Sequence, residues 1–214
     1  MKRGVVYMVG AGPGASDLVT VRGRELIEAC DVLVYDYLVY HELLNWTKPD
    51  CEKIYVGKRS GFHSKPQSDI EDLLIDFAKK GKTVVRLKGG DPFIFGRGGE
   101  EADALMDAGI SFEIVPGVTA CLGTAAYLGI PLTDRRDSSA VVLITGHEDP
   151  EKSESTVDWS NYARLDATLC IYMGLTRIEY ICEQLTNAGM DSDTPVAVVR
   201  WATLPEQESC IGKL

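Results

Sequence analysis

The chain has few of the residues that build metal centres, cross-linked folds or membrane spans. Its six cysteines, Cys30, Cys51, Cys121, Cys170, Cys182 and Cys210, include no CxxC pair, and most sit in apolar stretches such as Thr168-Leu169-Cys170-Ile171. This pattern points to small buried hydrophobes in a reducing compartment rather than disulfides or zinc. The three histidines, His41, His63 and His147, are scattered, so no metal site is expected. No apolar run approaches the ~20 residues that a membrane span needs. Val5 to Val9, behind Lys2-Arg3, begins like a signal peptide, but Gly10, Gly12, Pro13 and Gly14 break it too early. Positive charge is also scarce: 22 Lys and Arg stand against 32 Asp and Glu, a formal charge of −10. That balance disfavours non-specific nucleic-acid binding. There is no internal repeat and no low-complexity segment. A cytoplasmic protein is expected, with neither nucleic acid nor membrane as partner.

What is present is ordinary for a globular chain: 45% hydrophobic and 25% charged residues over 214 positions. Short β-branched runs alternate with helical patterns. Strands are expected at Val5–Val9, Val32–Tyr35, Lys53–Val56, Thr83–Leu87 and Phe112–Val115, with helices over Arg22–Cys30 and Glu100–Ala108. Ser68 and Glu71 form a capping box that predicts a helix ending at Gly81. Beyond Pro116-Gly117 come a helix over Val118–Tyr127, strands at Ala140–Thr145, Ala167–Tyr172 and Val196–Val199, and a surface loop over Asp149–Ser160. A second capping box, Thr176 and Glu179, opens a helix that stops at Gly189. The alternation predicts an α/β protein of two domains, 1–116 and 117–214, each a mostly parallel sheet flanked by helices.

Two glycine-rich segments compete for the function. Gly10-Ala11-Gly12-Pro13-Gly14-Ala15 has the spacing G-x-G-x-x-A directly after a strand, and Asp36 ends the next strand. Alone, this suggests a nicotinamide or flavin oxidoreductase. Pro13 removes a donor that a pyrophosphate would need, and Ser16 to Val21 makes a poor helix start; a tight turn without ligand is the plainer alternative. Gly89 to Glu101 holds five glycines in thirteen residues, together with Asp91, Phe93, Phe95, Arg97, Glu100 and Glu101. Glycine at that density suits main chain that turns tightly or admits a ligand closely.

The ordered set Val9-Gly10-Ala11-Gly12-Pro13-Gly14, Tyr35-Asp36-Tyr37-Leu38-Val39, Val56-Gly57-Lys58-Arg59, Val85 to Glu101, Val115-Pro116-Gly117-Val118-Thr119-Ala120, Gly129-Ile130-Pro131-Leu132-Thr133, Thr145-Gly146-His147 and Tyr172-Met173-Gly174 resembles the tetrapyrrole methylases over nearly the whole chain. Within that family it is most similar to the enzymes that methylate uroporphyrinogen III. The resemblance implies transfer of methyl groups from S-adenosylmethionine to two ring carbons, C2 and C7, giving precorrin-2 and S-adenosylhomocysteine. It also implies two α/β domains with the cofactor in the cleft between them, and a homodimer. A methylase of a later corrin precursor, the oxidoreductase and a non-catalytic binding module stay open as alternatives.

By the same resemblance, Pro13, Gly89, Gly90, Asp91, Ile94, Thr119, Ala120, Met173 and Ala202 match cofactor-contact positions. Asp36 and Lys58 match positions assigned to proton transfer, and Arg97 and Glu100 lie in the block beside the substrate. Asp91 suits the amino group of the methionine moiety, or simply caps the turn before Pro92. Lys58, Arg59, Lys65, Lys88, Arg97, Arg135 and Arg136 are candidates for pairing with a carboxylate-rich macrocycle. Three departures stand out: Tyr37 where the family has Arg, Ala15-Ser16 in place of an acidic residue and proline, and Ala202 where Gly is usual. The end at Leu214 is expected to be shortened relative to the family.

Overall fold

The computed structural model describes residues 4–57, 66–147 and 157–214. It divides into two compact units, Met1–Gly123 and Thr124–Leu214. The first is a five-stranded sheet built from β1 (Val5–Gly10), β2 (Val32–Tyr35), β3 (Glu52–Tyr55), β4 (Thr83–Lys88) and β5 (Ser111–Val115), in the order β3-β2-β4-β1-β5. Every pairing in it is parallel. Three helices connect the strands: α1 (Val21–Ala29), α2 (Gln67–Lys79) and α3 (Gly98–Asp107).

The three central strands, β2, β4 and β1, are buried on both faces, as a parallel sheet requires. Side chains alternate along each strand. Val32, Val34 and Val84 pack with Ile70 and Leu74 of α2 and Leu105 of α3, whereas Leu33, Val85 and Leu87 pack with Leu26 and Ile27 of α1. Helix α1 is capped by Thr20, whose hydroxyl accepts from the Gly23 N–H at 3.0 Å. The box expected at Ser68 does not form. Helix α2 begins two residues earlier, at Gln67 behind Pro66 with φ −49°, and no side chain caps it. The fixed ring of Pro66 prepares the first turn, which puts Ser68 inside the helix. Gly81 ends the element at φ +81°.

Helix α4 (Ala120–Leu128) follows β5 and runs into the second unit. There β6 (Val141–Thr145) pairs with β7 (Thr168–Tyr172) in parallel, and β8 (Pro195–Arg200) pairs with β9 (Glu208–Lys213) antiparallel. The hairpin is a feature that the α/β alternation did not foretell. Its returning strand, ESCIGK, is exposed throughout and carries only one large apolar residue, Ile211. A short helix α5 (Trp159–Tyr162), capped by Asp158, occupies the end of the expected Asp149–Ser160 loop, whose residues 149–156 lie outside the described ones. Helix α6 (Ile178–Asn187) continues from a 3-10 turn over Leu175–Arg177, so Thr176 lies within that turn and its expected box is absent. Ile144, Trp159, Ile181 and Leu185 form the unit's core. Among the described residues, no helix is long and apolar enough to cross a membrane.

Candidate active site

In the first unit, three strands converge on bare main chain. A side chain at Gly10 would put its Cβ 2.6 Å from the Gly117 Cα and the Gly90 carbonyl oxygen, and one at Gly117 would lie 2.2 Å from that same oxygen. Gly12 and Gly90 exchange main-chain hydrogen bonds, with N to O distances of 3.2 and 2.7 Å. Gly10 is therefore spent on packing against the segments that follow β4 and β5, and Gly12 on pairing with Gly90. Nor does this loop open a helix: residues 16–18 form a 3-10 turn and α1 starts only at Val21. A pyrophosphate cradle needs main-chain N–H groups at a helix start directly behind the strand, so this geometry removes the physical ground for the oxidoreductase reading.

Gly90 is different. It holds φ +65°, and a Cβ there would stand 3.8 Å from both the Thr119 Cα and the Ala120 N. Gly90, Thr119 and Ala120 thus lie side by side, and the glycine presents backbone without a side chain. Asp91 ties the arrangement together: its Oδ1 accepts from the Phe93 N–H at 2.8 Å and its Oδ2 from the Gly117 N–H at 3.0 Å. Gly89, Gly90, Asp91 and Ile94 are each partly buried, as is Pro13 in the neighbouring loop. This stretch of open main chain beside a carboxylate fits a ligand carrying an amino group, as S-adenosylmethionine does.

Downstream, Phe95 and Arg97 both adopt left-handed backbone, with φ 52° and 57°. Such conformations cost of order 1–3 kcal/mol in a non-glycine residue and cluster at functional segments. Arg97 forms a two-pronged pair with Glu100, Nε to Oε1 at 2.8 Å and Nη2 to Oε2 at 2.6 Å, on an exposed surface. The hydrogen bond from Arg97 holds the Glu100 carboxyl below its usual range. In the second unit, Met173 (φ 55°) and the Trp201–Thr203 segment around Ala202 (φ 52° and 72° at its flanks) show the same strain. Met173 is exposed, and Ala202 is half-buried beside the buried Thr203.

Sequence reasoning did not anticipate a buried charge network at the end of β4. Arg86 and Lys88 alternate along the strand and so share the face covered by α2 and α3. Both point at Glu101, which is fully buried: its Oε1 receives the Lys88 Nζ at 2.8 Å, the Arg86 Nε at 3.1 Å and the Gln67 Nε2 at 3.3 Å. Its Oε2 is buried and has no hydrogen-bond partner among the described residues. Burial, with the Arg86 charge adding to it, pushes the Lys88 ammonium below its usual range, while Glu101 opposes the shift. Lys88 is accordingly not one of the cations that await a substrate carboxylate, because desolvation and Glu101 hold it inside. Arg136, by contrast, is exposed and pairs with Asp134 at 2.9 Å. The visible signal was two cations spaced i, i+2 in an otherwise apolar strand buried on both faces, which demands a buried anion.

Arg86 also reaches Asp36. Its Nη1 donates to the Leu87 carbonyl at 3.0 Å and its Nη2 to Asp36 Oδ2 at 3.3 Å, while Asp36 Oδ1 accepts from the Leu38 N–H at 3.1 Å. Asp36 stands at the C-terminal end of β2 and lines an open cavity of about 460 Å³ with Tyr35, Tyr37, Val39, His41, Leu44 and Tyr55. Tyr37 is 66% exposed. Lys58, Arg59 and Lys65 lie outside the described residues.

Residues 5–214 match the family model of the Tetrapyrrole (Corrin/Porphyrin) Methylases. The chain belongs to this family. A uroporphyrinogen-III C-methyltransferase from Priestia megaterium is 48% identical over 211 residues, which are 99% of this chain and 88% of that one. A sirohaem synthase from Baumannia cicadellinicola subsp. Homalodisca coagulata is 51% identical over 99% of this chain, and the chain spans only 46% of its length. Among solved structures, a Thermus thermophilus uroporphyrin-III C-methyl transferase complexed with S-adenyl homocysteine superposes with a TM-score of 0.85 at 37% identity, covering 98% of this chain and 88% of that one.

Proposed function

We propose that this chain transfers methyl groups from S-adenosylmethionine to two ring carbons of uroporphyrinogen III, releasing precorrin-2 and S-adenosylhomocysteine. The observation that carries this reading is the meeting of Gly90 backbone with Thr119 and Ala120, beside Asp91, in a tetrapyrrole methylase. When bound, S-adenosylmethionine supplies an electrophilic methyl on a cationic sulfonium, whose sulfur departs as a neutral thioether. The protein's residues then have two tasks.

The first is positioning, since an in-line transfer gains most from fixed near-attack geometry. In this reading Pro13, Gly89, Gly90, Asp91, Ile94, Thr119, Ala120, Met173 and Ala202 hold the donor. The strained backbone at Met173 and around Ala202 supports that role. Arg97, fixed by Glu100, presents a guanidinium to the carboxylates of the macrocycle. The second task is proton transfer. The pyrrole carbon gains a C–C bond and the ring system sheds one proton for each methyl added; Asp36, in its open cavity, and Lys58 are the groups assigned to it. The protein acts as a cytoplasmic homodimer in this reading, which sedimentation tests against the 23.4 kDa chain mass.

The decisive assay incubates the protein with labelled S-adenosylmethionine and uroporphyrinogen III, then resolves products by mass. Two methyl increments on the macrocycle, with two equivalents of S-adenosylhomocysteine, are expected. S-adenosylhomocysteine binding without methylation of any tetrapyrrole would leave only a binding module, and methylation confined to later corrin precursors would reassign the substrate.

A further inference from the structure

Four charged side chains from three elements form one cluster inside the first unit: Asp36 after β2, Arg86 and Lys88 on β4, and Glu101 on α3. Their formal charges cancel. Such a cluster is a poor source of stability, because desolvating the ions consumes most of what their attraction returns, and apolar residues of similar volume hold a core at least as well. Apolar residues cannot, however, orient a carboxylate. The guanidinium of Arg86 does so in this structure: Glu101 holds Nε, the Leu87 carbonyl holds Nη1, and the remaining Nη2 faces Asp36 Oδ2, while the Leu38 N–H holds the other oxygen. A lysine could not serve these three acceptors from one rigid plane.

We propose that Arg86 and Glu101 are positioning residues for Asp36, with Glu101 locking the guanidinium from the α3 side and Lys88 bringing the cluster to neutrality. This rests on the reading of Asp36 as a proton-transfer group. Neither residue needs to touch substrate; both act through the carboxylate.

The test is a double-mutant cycle of Arg86→Lys and Asp36→Asn, read in two ways. With uroporphyrinogen III and S-adenosylmethionine, Arg86→Lys is expected to lower kcat about 10²-fold while KM for S-adenosylmethionine is unchanged. On the Asp36→Asn background it should cost less than about twofold more. In the ligand-free protein, the unfolding midpoints of the same four proteins should be non-additive, which reports the link without turnover. A fifth protein, Arg86→Met/Lys88→Met/Glu101→Leu, keeps the volume and removes the charges. It should fold, bind S-adenosylhomocysteine and lose kcat by a similar factor. Wild-type turnover in this apolar variant, or losses that multiply in the cycle while Asp36→Asn is itself impaired, overturns the proposal and leaves the role of Asp36 intact. Full activity of Asp36→Asn removes the proton-transfer reading, and the proposal with it.

Discussion

Replacing Gly117 by alanine isolates what the three-glycine crossing does. The residue has no left-handed backbone, so alanine carries no conformational penalty there and the whole effect is steric. Its Cβ would sit 2.2 Å from the Gly90 oxygen and 2.8 Å from the Gly10 Cα. Both neighbours are main chain, so no rotamer change relieves the contact; one segment must retreat by about 1 Å to restore ordinary contact distances. That retreat strains the Gly12–Gly90 bonds and the 3.0 Å bond from the Gly117 N–H to Asp91. Overpacking of this kind costs about 1–3 kcal/mol, and a lost hydrogen bond adds about 1 kcal/mol. For a chain of this size, 1 kcal/mol corresponds to about 2–4 °C in melting temperature, so Gly117→Ala should lower Tm by roughly 5–15 °C. Calorimetric titration with S-adenosylhomocysteine should show binding weakened about tenfold or more, since a displacement of this order at Gly90 spoils fixed contacts. The control is Gly99→Ala in α3, where a Cβ meets nothing within 4 Å; it should leave Tm unchanged or raise it, as helix propensity favours alanine by up to about 1 kcal/mol. A Gly117→Ala protein that melts and binds like wild type would refute the steric argument.

Three further outcomes are expected. Arg97→Leu should cut turnover while folded yield stays the same, because the exposed pair with Glu100 is worth under about 1 kcal/mol; near-wild-type activity would remove Arg97 from the site. Asp31 accepts from Lys48 Nζ at 2.7 Å and from the Thr83 N–H at 2.9 Å, contacts that hold its carboxyl below the usual range. A depressed carboxylate contributes stability above its unfolded pKa of about 3.9 and loses it as pH falls through the folded value. The Tm difference between wild type and Asp31→Asn should therefore be full near neutral pH and close in acid; a constant difference would contradict the linkage. Burial and the neighbouring Cys51 sulfur, 3.6 Å away, push the Cys30 thiol well up. Iodoacetamide on native protein should label exposed Cys210 first and spare Cys30 until unfolding, as read by peptide mass analysis.

Strand and helix positions in the first unit were legible because β-branched runs such as Val32–Tyr35 and Thr83–Lys88 report local propensity and two-sided burial directly. Caps were less legible. Ser68 and Thr176 have the right spacing, but preceding geometry, a proline in one case and a 3-10 turn in the other, set where each helix begins. The C-terminal hairpin escaped because β9 carries almost no apolar alternation; its identity comes from the register Val196↔Gly212 through Arg200↔Glu208. Among site residues, Gly90, Thr119 and Ala120 were named from their motifs, yet their adjacency is set by β4 and β5 flanking β1. Arg86 and Glu101 looked like one strand cation and one of two neighbouring acids.

By itself, the order of amino acids determined the family, the α/β character and the placement of glycine where chain must approach chain, because those depend on residue type and near neighbours. The tertiary structure alone decided which glycines meet one another, which acid of the Glu100–Glu101 pair is buried, and that Arg86 joins Glu101 to Asp36. Burial and long-range hydrogen bonds are properties of packed neighbours far apart in the chain, and no local pattern of residues carries them.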